Sequence, residues 1–333
     1  MSAQSWVNRI WYGSRYPPWW AVPASLLFGA VTALRRGLYH RGWLRSRRLT
    51  CPVIVVGNLS VGGTGKTPLV CWLAQRLLGS GFSTGIVTRG HGGSERAPQI
   101  IDAQADPALF GDEPVLLARR TGRPVAVGRD RPAAAQLLIE AGCDLIISDD
   151  GLQHYALARD VEIAVIDGDR RFGNGWVLPA GPLREPKARL KSVDAVVMNG
   201  GRGLLPGALA MTLDGQDAVG LVDGRSRPLS SFTGLVHAVA GIGNPERFFN
   251  MLRAHGVQVS GRALDDHVVP SRELIAFDDA APVLMTEKDA VKCRQLADAR
   301  HYYVPVSAQF ESGDEAALMA VIERALRVGP KPG

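Results

Sequence analysis

The segment Ser60-Val61-Gly62-Gly63-Thr64-Gly65-Lys66-Thr67 constrains this chain more than any other. An apolar run, Val53–Val56, precedes it, and Leu69, Leu73 and Leu77 follow on one face of an expected helix. Strand, glycine-rich turn and helix in that order match the phosphate-binding pattern G-x-x-x-x-G-K-[ST]. Glycines let backbone N–H groups approach phosphate oxygens, and the helix N-terminus adds its positive dipole end. Lys66 is then placed for the β- and γ-phosphates and the Thr67 hydroxyl for Mg²⁺. Pro68 suits a first helical turn, where its missing N–H is not needed. The first position of the pattern is Ser60 rather than glycine, so Gly62 and Gly63 are expected to supply the loop's freedom.

Beyond the loop, short apolar runs alternate with helical stretches. Val53–Val56, Gly85–Thr88, Val125–Val127, Leu145–Ser148, Glu162–Ile166 and Ala195–Met198 read as strands buried on both faces. Such alternation predicts a doubly wound parallel α/β sheet of the P-loop NTPase type. With 46% hydrophobic and 21% charged residues, the chain can bury sizeable cores. The texture changes at Gly200–Arg227, where Met211–Leu213 and Val219–Val222 are expected to pair as a hairpin. A second, smaller α/β run follows: Val236–Ala240, a helix over Glu246–Ala254, Val283–Thr286, Tyr302–Pro305 and a closing helix over Glu315–Arg327. The expected division is 1–48, an N-terminal membrane-associated helix with a basic flank; 49–203, the P-loop domain; and 204–333, a β linker and C-terminal α/β domain.

The N-terminal expectation rests on Tyr16–Leu34, which carries no charged side chain. Its length approaches the ~20 residues of a spanning helix. Pro17, Pro18 and Pro23 confine the helix to about Pro23–Leu34. Trp19 and Trp20 suit a membrane interface, and Arg35, Arg36, Arg41, Arg45, Arg47 and Arg48 suit anionic headgroups. A buried core helix with a solvated basic flank is the competing reading. No small-residue cleavage site supports a signal peptide, and no RNA-binding or helix-turn-helix signature supports a nucleic-acid partner. Cys51, Cys71, Cys143 and Cys293 form no C-x-x-C pair and read as reduced thiols, mostly in apolar surroundings.

Acidic groups complete the pattern. Asp149 and Asp150 end the run Leu145–Ser148, where open α/β sheets bind ligands and P-loop proteins hold their metal-binding aspartate. Gln153 and His154, on the same loop, can reach substrate or phosphate. Asp112 in Gly111-Asp112-Glu113-Pro114 either caps the next helix or serves, with Glu113, as general base or metal ligand. Arg184 is suited to clamp a phosphate, and His267 stands beside two aspartates that can tune it. A P-loop GTPase or metallochaperone is the alternative; Thr286-Glu287-Lys288-Asp289 approaches the guanine-reading [NT]-K-x-D pattern, but its spacing fails. A purely structural membrane-associated protein leaves the phosphate loop and acidic strand end unexplained.

Taken together, Gly57–Pro68, TRGHGG at Thr88–Gly93, GDEP at Gly111–Pro114 and SDDGLQH at Ser148–His154 resemble the tetraacyldisaccharide 4′-kinase family of lipid A synthesis. So do Arg170–Glu185, Val193–Gly201, AGIGNPERFF at Ala240–Phe249, DDHV at Asp265–Val268 and MTEKDAVKC at Met285–Cys293. The resemblance runs in order over most of the chain. It implies two α/β domains joined by a small β linker, with the active site between them. It further implies an N-terminal membrane helix on the cytoplasmic face of the inner membrane. The implied reaction moves the ATP γ-phosphate, with Mg²⁺, to the 4′-hydroxyl of a tetraacylated glucosamine disaccharide 1-phosphate, a membrane lipid. By the same resemblance Asp112 is the catalytic base paired with His267, and Lys66 stabilises the moving phosphate. Thr67, Glu113 and Asp149 or Asp150 would surround Mg²⁺, while Arg89, Gln153, His154, Arg184 and Glu185 would meet substrate. His91 stands where the family pattern has Tyr.

Overall fold

In the computed structural model, which describes residues 3–13, 16–95, 97–201, 203–265, 268 and 271–327, two helices precede the first strand. They are α1 (Ala3–Gly13) and α2 (Val22–His40), with a 3-10 turn at Trp19–Ala21 between them. Pro23 lies in the first turn of α2, and the helix continues past Leu34 through the first arginines. Ser25 is buried, and its hydroxyl donates to the Val177 carbonyl at 2.7 Å. Trp19, Trp20, Leu26, Leu27, Val31 and Leu34 are exposed instead. Among the described residues no helix is long and apolar enough to cross a membrane.

The larger sheet starts at β1 (Val53–Gly57) and continues through α3 (Lys66–Gly79), β2 (Thr84–Thr88), β3 (Gln99–Ile101), α4 (Pro107–Phe110) and α5 (Asp112–Thr121). Next come β4 (Val125–Val127), α6 (Arg131–Glu140), β5 (Leu145–Asp149), β6 (Val161–Asp167), β7 (Ala195–Asn199) and β8 (Leu209–Asp214). The smaller sheet is built from β9 (Asp217–Gly220), β10 (Ser226–Pro228), β11 (Leu235–Ala240), α7 (Pro245–Ala254), β12 (Gln258–Ala263), α8 (Arg272–Ile275), β13 (Val283–Thr286), α9 (Glu287–Cys293) and β14 (His301–Val304). The chain then returns to the larger sheet with β15 (Ser307–Phe310) and α10 (Ser312–Arg327).

The larger sheet has the order β15-β8-β7-β6-β1-β5-β2-β4-β3, and the smaller β10-β9-β14-β13-β11-β12. Strand β1 lies between β5 and β6, parallel to both. Its alternate residues feed two cores. Ile54 and Val56 share a core with Leu69, Leu73 and Leu77 of α3 and Leu318 and Ile322 of α10. Val53 and Val55 join Ala134 and Leu138 of α6 on the other face. Helices on both faces make the sheet doubly wound, as the unbroken apolar runs predict.

One expected pairing does not form. Leu209–Asp214 pairs with β7 and with β15, not with Asp217–Gly220, which belongs to the other sheet. The turn between them joins two sheets rather than two arms of a hairpin. Residues 209–214 and 307–327 therefore add to the larger sheet from beyond residue 203, and the expected boundary there separates β7 from its neighbour β8.

Candidate active site

Two asparagines brace the phosphate loop. Asn199, at the end of β7, donates to the Thr64 carbonyl at 3.0 Å, and Asn58 donates to the Gly62 carbonyl at 3.2 Å. Gly65, the residue before α3, has φ 93°, and a Cβ there would meet Asn199 Nδ2 at 2.4 Å. Only glycine fits that position. Ser60 needs no such freedom: among the described residues Asp150 and Arg171 are the only non-glycines with positive φ. Ser60 is buried and bridges Leu183, while Val61 N–H donates to the Pro182 carbonyl at 2.8 Å. The Gly181–Glu185 segment thus sets the loop's entry where the usual pattern has glycine.

Arg170 ties this loop to its surroundings. Its guanidinium donates to the Gly63 carbonyl at 3.0 Å and to the Gly243 carbonyl in the turn after β11. It also pairs with Asp167 at 3.2 Å and lies 5.1 Å from the ring centre of Tyr12 on α1. The Tyr12 hydroxyl in turn donates to the Val61 carbonyl at 3.4 Å. Phosphate loop, second sheet and N-terminal helix meet at one arginine.

The two aspartates at the end of β5 have different surroundings. Asp150 adopts φ 49° and faces Arg184, whose Nη1 is 2.9 Å from both carboxylate oxygens; Lys66 Nζ is 3.5 Å away. The buried Arg131 donates to its carbonyl at 2.9 Å. Burial opposes the charge of Asp150, but Lys66 and Arg184 outweigh it and hold the carboxyl well below the usual range. Asp149 is buried, and its Oδ1 has no hydrogen-bond partner. Burial first, then the nearby Glu113, pushes its carboxyl up to about 7. A buried carboxylate oxygen without a donor suits a cation. No cluster of three acidic, histidine or cysteine ligands exists among the described residues. Mg²⁺ in phosphoryl-transfer sites needs none, since it takes one or two side-chain oxygens together with phosphate and water. Asp149 and Thr67 fit that pattern.

Asp112 does not cap α5; Gly111, at φ 90°, occupies the cap position. The carboxylate lies instead 3.1 Å from Lys292 Nζ, and its neighbour Glu113 lies 3.1 Å from Lys288 Nζ. Both lysines come from α9, beside the smaller sheet, so the GDEP carboxylates meet cations from the other sheet. The loop bearing Arg89 and His91 backs onto the same turn: a Cβ on Gly111 would meet the His91 carbonyl at 2.4 Å. Arg89 itself is exposed. His267, the expected partner of Asp112, lies outside the described residues.

Gln153 donates to the Asn58 carbonyl at 3.1 Å and to Glu185 at 3.0 Å. Glu185 is buried, also accepts from the Tyr155 hydroxyl, and lies 3.8 Å from Arg189. It braces Gln153 rather than presenting a free carboxylate. His154 is partly buried, and its Nε2 has no hydrogen-bond partner. Burial, then Arg131, Arg159 and Arg35, lower its ring to about 4, so it is neutral near pH 7. Asn58, Arg131, Asn199 and Lys292 carry no individual role in the sequence reading. Lys288 and Asp289, residues of the failed guanine-like pattern, have other partners: Asp289 accepts from Gly241 N–H at 2.9 Å.

A family model described as tetraacyldisaccharide-1-P 4′-kinase matches residues 18–327. A tetraacyldisaccharide 4′-kinase of Alkalilimnicola ehrlichii is 50% identical over 324 residues, covering 93% of this chain and 95% of the relative. One from Nitrosococcus oceani is 48% identical over 328 residues, covering 97% and 96%. The solved structure of LpxK from Aquifex aeolicus in complex with ATP superposes with a TM-score of 0.75 at 27% identity, covering 92% of this chain and 98% of that one.

Proposed function

The chain belongs to the tetraacyldisaccharide 4′-kinase family, ATP-dependent kinases of a lipid A precursor, and from that premise we propose how its own residues carry the transfer. The reaction moves the γ-phosphate of ATP to the 4′-hydroxyl of a tetraacylated glucosamine disaccharide 1-phosphate. The observation that carries our assignment of roles is the unequal pair at the end of β5. Asp150 is neutralised by Lys66 and Arg184, while Asp149 keeps an oxygen without a donor.

Backbone N–H groups of residues 62–67 cradle the phosphates, and Lys66 offsets charge on the γ-phosphoryl as it moves. Asp150 holds Lys66 and Arg184 in place for that task. Asp149 and Thr67, with Glu113 nearby, would hold Mg²⁺, which when bound supplies charge neutralisation between the phosphates. Asp112 accepts the proton of the attacking hydroxyl, with His267 as its partner. Gln153, His154, Arg184 and Arg89 face the acceptor sugar, and Glu185 orients Gln153.

The acyl chains lie toward α1 and α2. The exposed stripe Trp19, Trp20, Leu26, Leu27, Val31 and Leu34 is followed by the arginine cluster, an arrangement for resting on the cytoplasmic face of the inner membrane. The direct test of the roles is Lys66→Ala. We expect a folded protein with most transfer lost, and near wild-type turnover would remove the phosphate-loop assignment.

A further inference from the structure

We propose that Lys292 is a positioning residue for Asp112, delivered by the smaller-sheet domain, and that Lys288 does the same for Glu113. The proposal rests on the reading of Asp112 as proton acceptor.

The geometry begins with α9. Lys288 and Lys292 are four residues apart and so share a helix face. Asp112 and Glu113 are adjacent in the first turn of α5, where the dipole favours carboxylates. Each lysine Nζ is 3.1 Å from one of these carboxylates. A third ion pair from the same helix, Glu287 to Arg120 at 2.6 Å, fixes the far end of α5. The side chains of Lys292 and Asp112 are 15% and 6% exposed, so this is not a solvated surface pair of negligible consequence.

Helix α9 is itself fixed to the smaller sheet. Thr286 accepts from Asp289 N–H at 3.2 Å as its cap, and Asp289 accepts from Gly241 N–H after β11. The path therefore runs from β11 and β13 through α9 to Asp112, and α5 belongs to the other sheet.

A carboxylate has two oxygens and rotates freely unless one is held. Lys292 Nζ pairs with Oδ2 by charge at 3.1 Å, without a hydrogen bond to that buried oxygen, and a Cβ on Gly92 would lie 3.9 Å from Oδ1. The ion pair draws Oδ2 toward α9 and leaves Oδ1 for an incoming hydroxyl. A lysine that merely joined the domains would alter stability and substrate affinity without depending on Asp112. Positioning predicts a loss that requires Asp112 to be present.

The test measures kcat and KM of the full chain with ATP and the tetraacyldisaccharide 1-phosphate. Lys292→Met should lower kcat by ~10–100-fold through misplacement of the base, with KM for ATP changed by less than ~3-fold. Lys292→Arg, which keeps the charge, should recover most of kcat. On an Asp112→Asn background, Lys292→Met should cost no more than about 2-fold further, since residues acting as a unit are non-additive. An equal loss on both backgrounds, or an effect confined to KM, overturns the proposal. If Lys292→Met does not fold, Lys292→Ala, which also removes the contact, is judged by the same outcomes. Near wild-type kcat in Asp112→Asn would instead remove the proton-acceptor reading, and the proposal with it.

Discussion

Arg184 places one nitrogen, Nη1, 2.9 Å from both carboxylate oxygens of Asp150. That contact neutralises one of two adjacent aspartates and leaves Asp149 for a cation. Asp149→Asn should therefore raise the Mg²⁺ concentration for half-maximal rate by on the order of 10–100-fold, a typical loss when a metal site is disturbed. Asp150→Asn should lower kcat while leaving the Mg²⁺ dependence nearly unchanged. Magnesium titrations of the two variants decide this, and the reverse pattern would assign the metal to Asp150.

His154 gives a pH prediction. Its folded ring titrates near about 4 because burial, Arg131 and Arg159 oppose its charge, whereas an unfolded His titrates near ~6.5. Between those values the unfolded chain binds the proton that the folded chain refuses. The stability this group contributes is therefore present above ~6.5 and is lost as pH falls toward the folded value. Unfolding measured in denaturant from pH 7.5 down to 4.5 should show a shallower decline for His154→Gln than for wild type. Parallel curves would mean the ring is protonated in the folded chain.

Tyr12 and Arg170 connect the N-terminal helix to the phosphate loop. Arg170→Met removes donors to both the Gly63 and Gly243 carbonyls. It should raise KM for ATP by roughly 10-fold, about the ~1.4 kcal/mol expected for losing charged hydrogen bonds to a loop. Tyr12→Leu should have a smaller effect in the same direction. Unchanged ATP affinity in both would confine Arg170 to a role in packing.

The apolar stripe on α2 predicts a separable defect. Leu27 and Val31 are exposed, one turn apart. Leu27→Glu with Val31→Glu should reduce co-sedimentation with anionic vesicles by ~10-fold or more, given about 25 cal/mol per Å² of apolar surface. ATP binding in detergent-free solution should remain. Vesicle binding equal to wild type would place the lipid-facing surface elsewhere.

What the sequence made legible was local. The run Val53–Val56, the glycine turn and the leucines of α3 declare their own structure, and strand-end aspartates follow from the rule that such ends bind ligands. What it concealed was long-range. Met211–Leu213 reads as half of a hairpin because β15, the antiparallel partner of its strand, arrives some hundred residues later. Lys288 and Lys292 are given no role by the sequence, since nothing local says that carboxylates from the other sheet lie opposite. Arg131 carries no signal of burial because its partners, Ser148 and the Asp150 carbonyl, come from the next strand and its end. The resemblance offers Glu185 to substrate, and only the structure shows that Tyr155 and Gln153 donate to it.

The central claim is that Asp112 accepts the proton of a lipid-sugar hydroxyl while the phosphate loop delivers the γ-phosphate. The most direct measurement is transfer from ATP labelled at the γ-phosphate to tetraacyldisaccharide 1-phosphate, by the full chain and by Asp112→Asn, with both substrates saturating. The account predicts label on the 4′-oxygen with wild type, and kcat lowered ~10²–10⁴-fold in the variant, the usual share of a general base. Transfer by Asp112→Asn at close to the wild-type rate would contradict it.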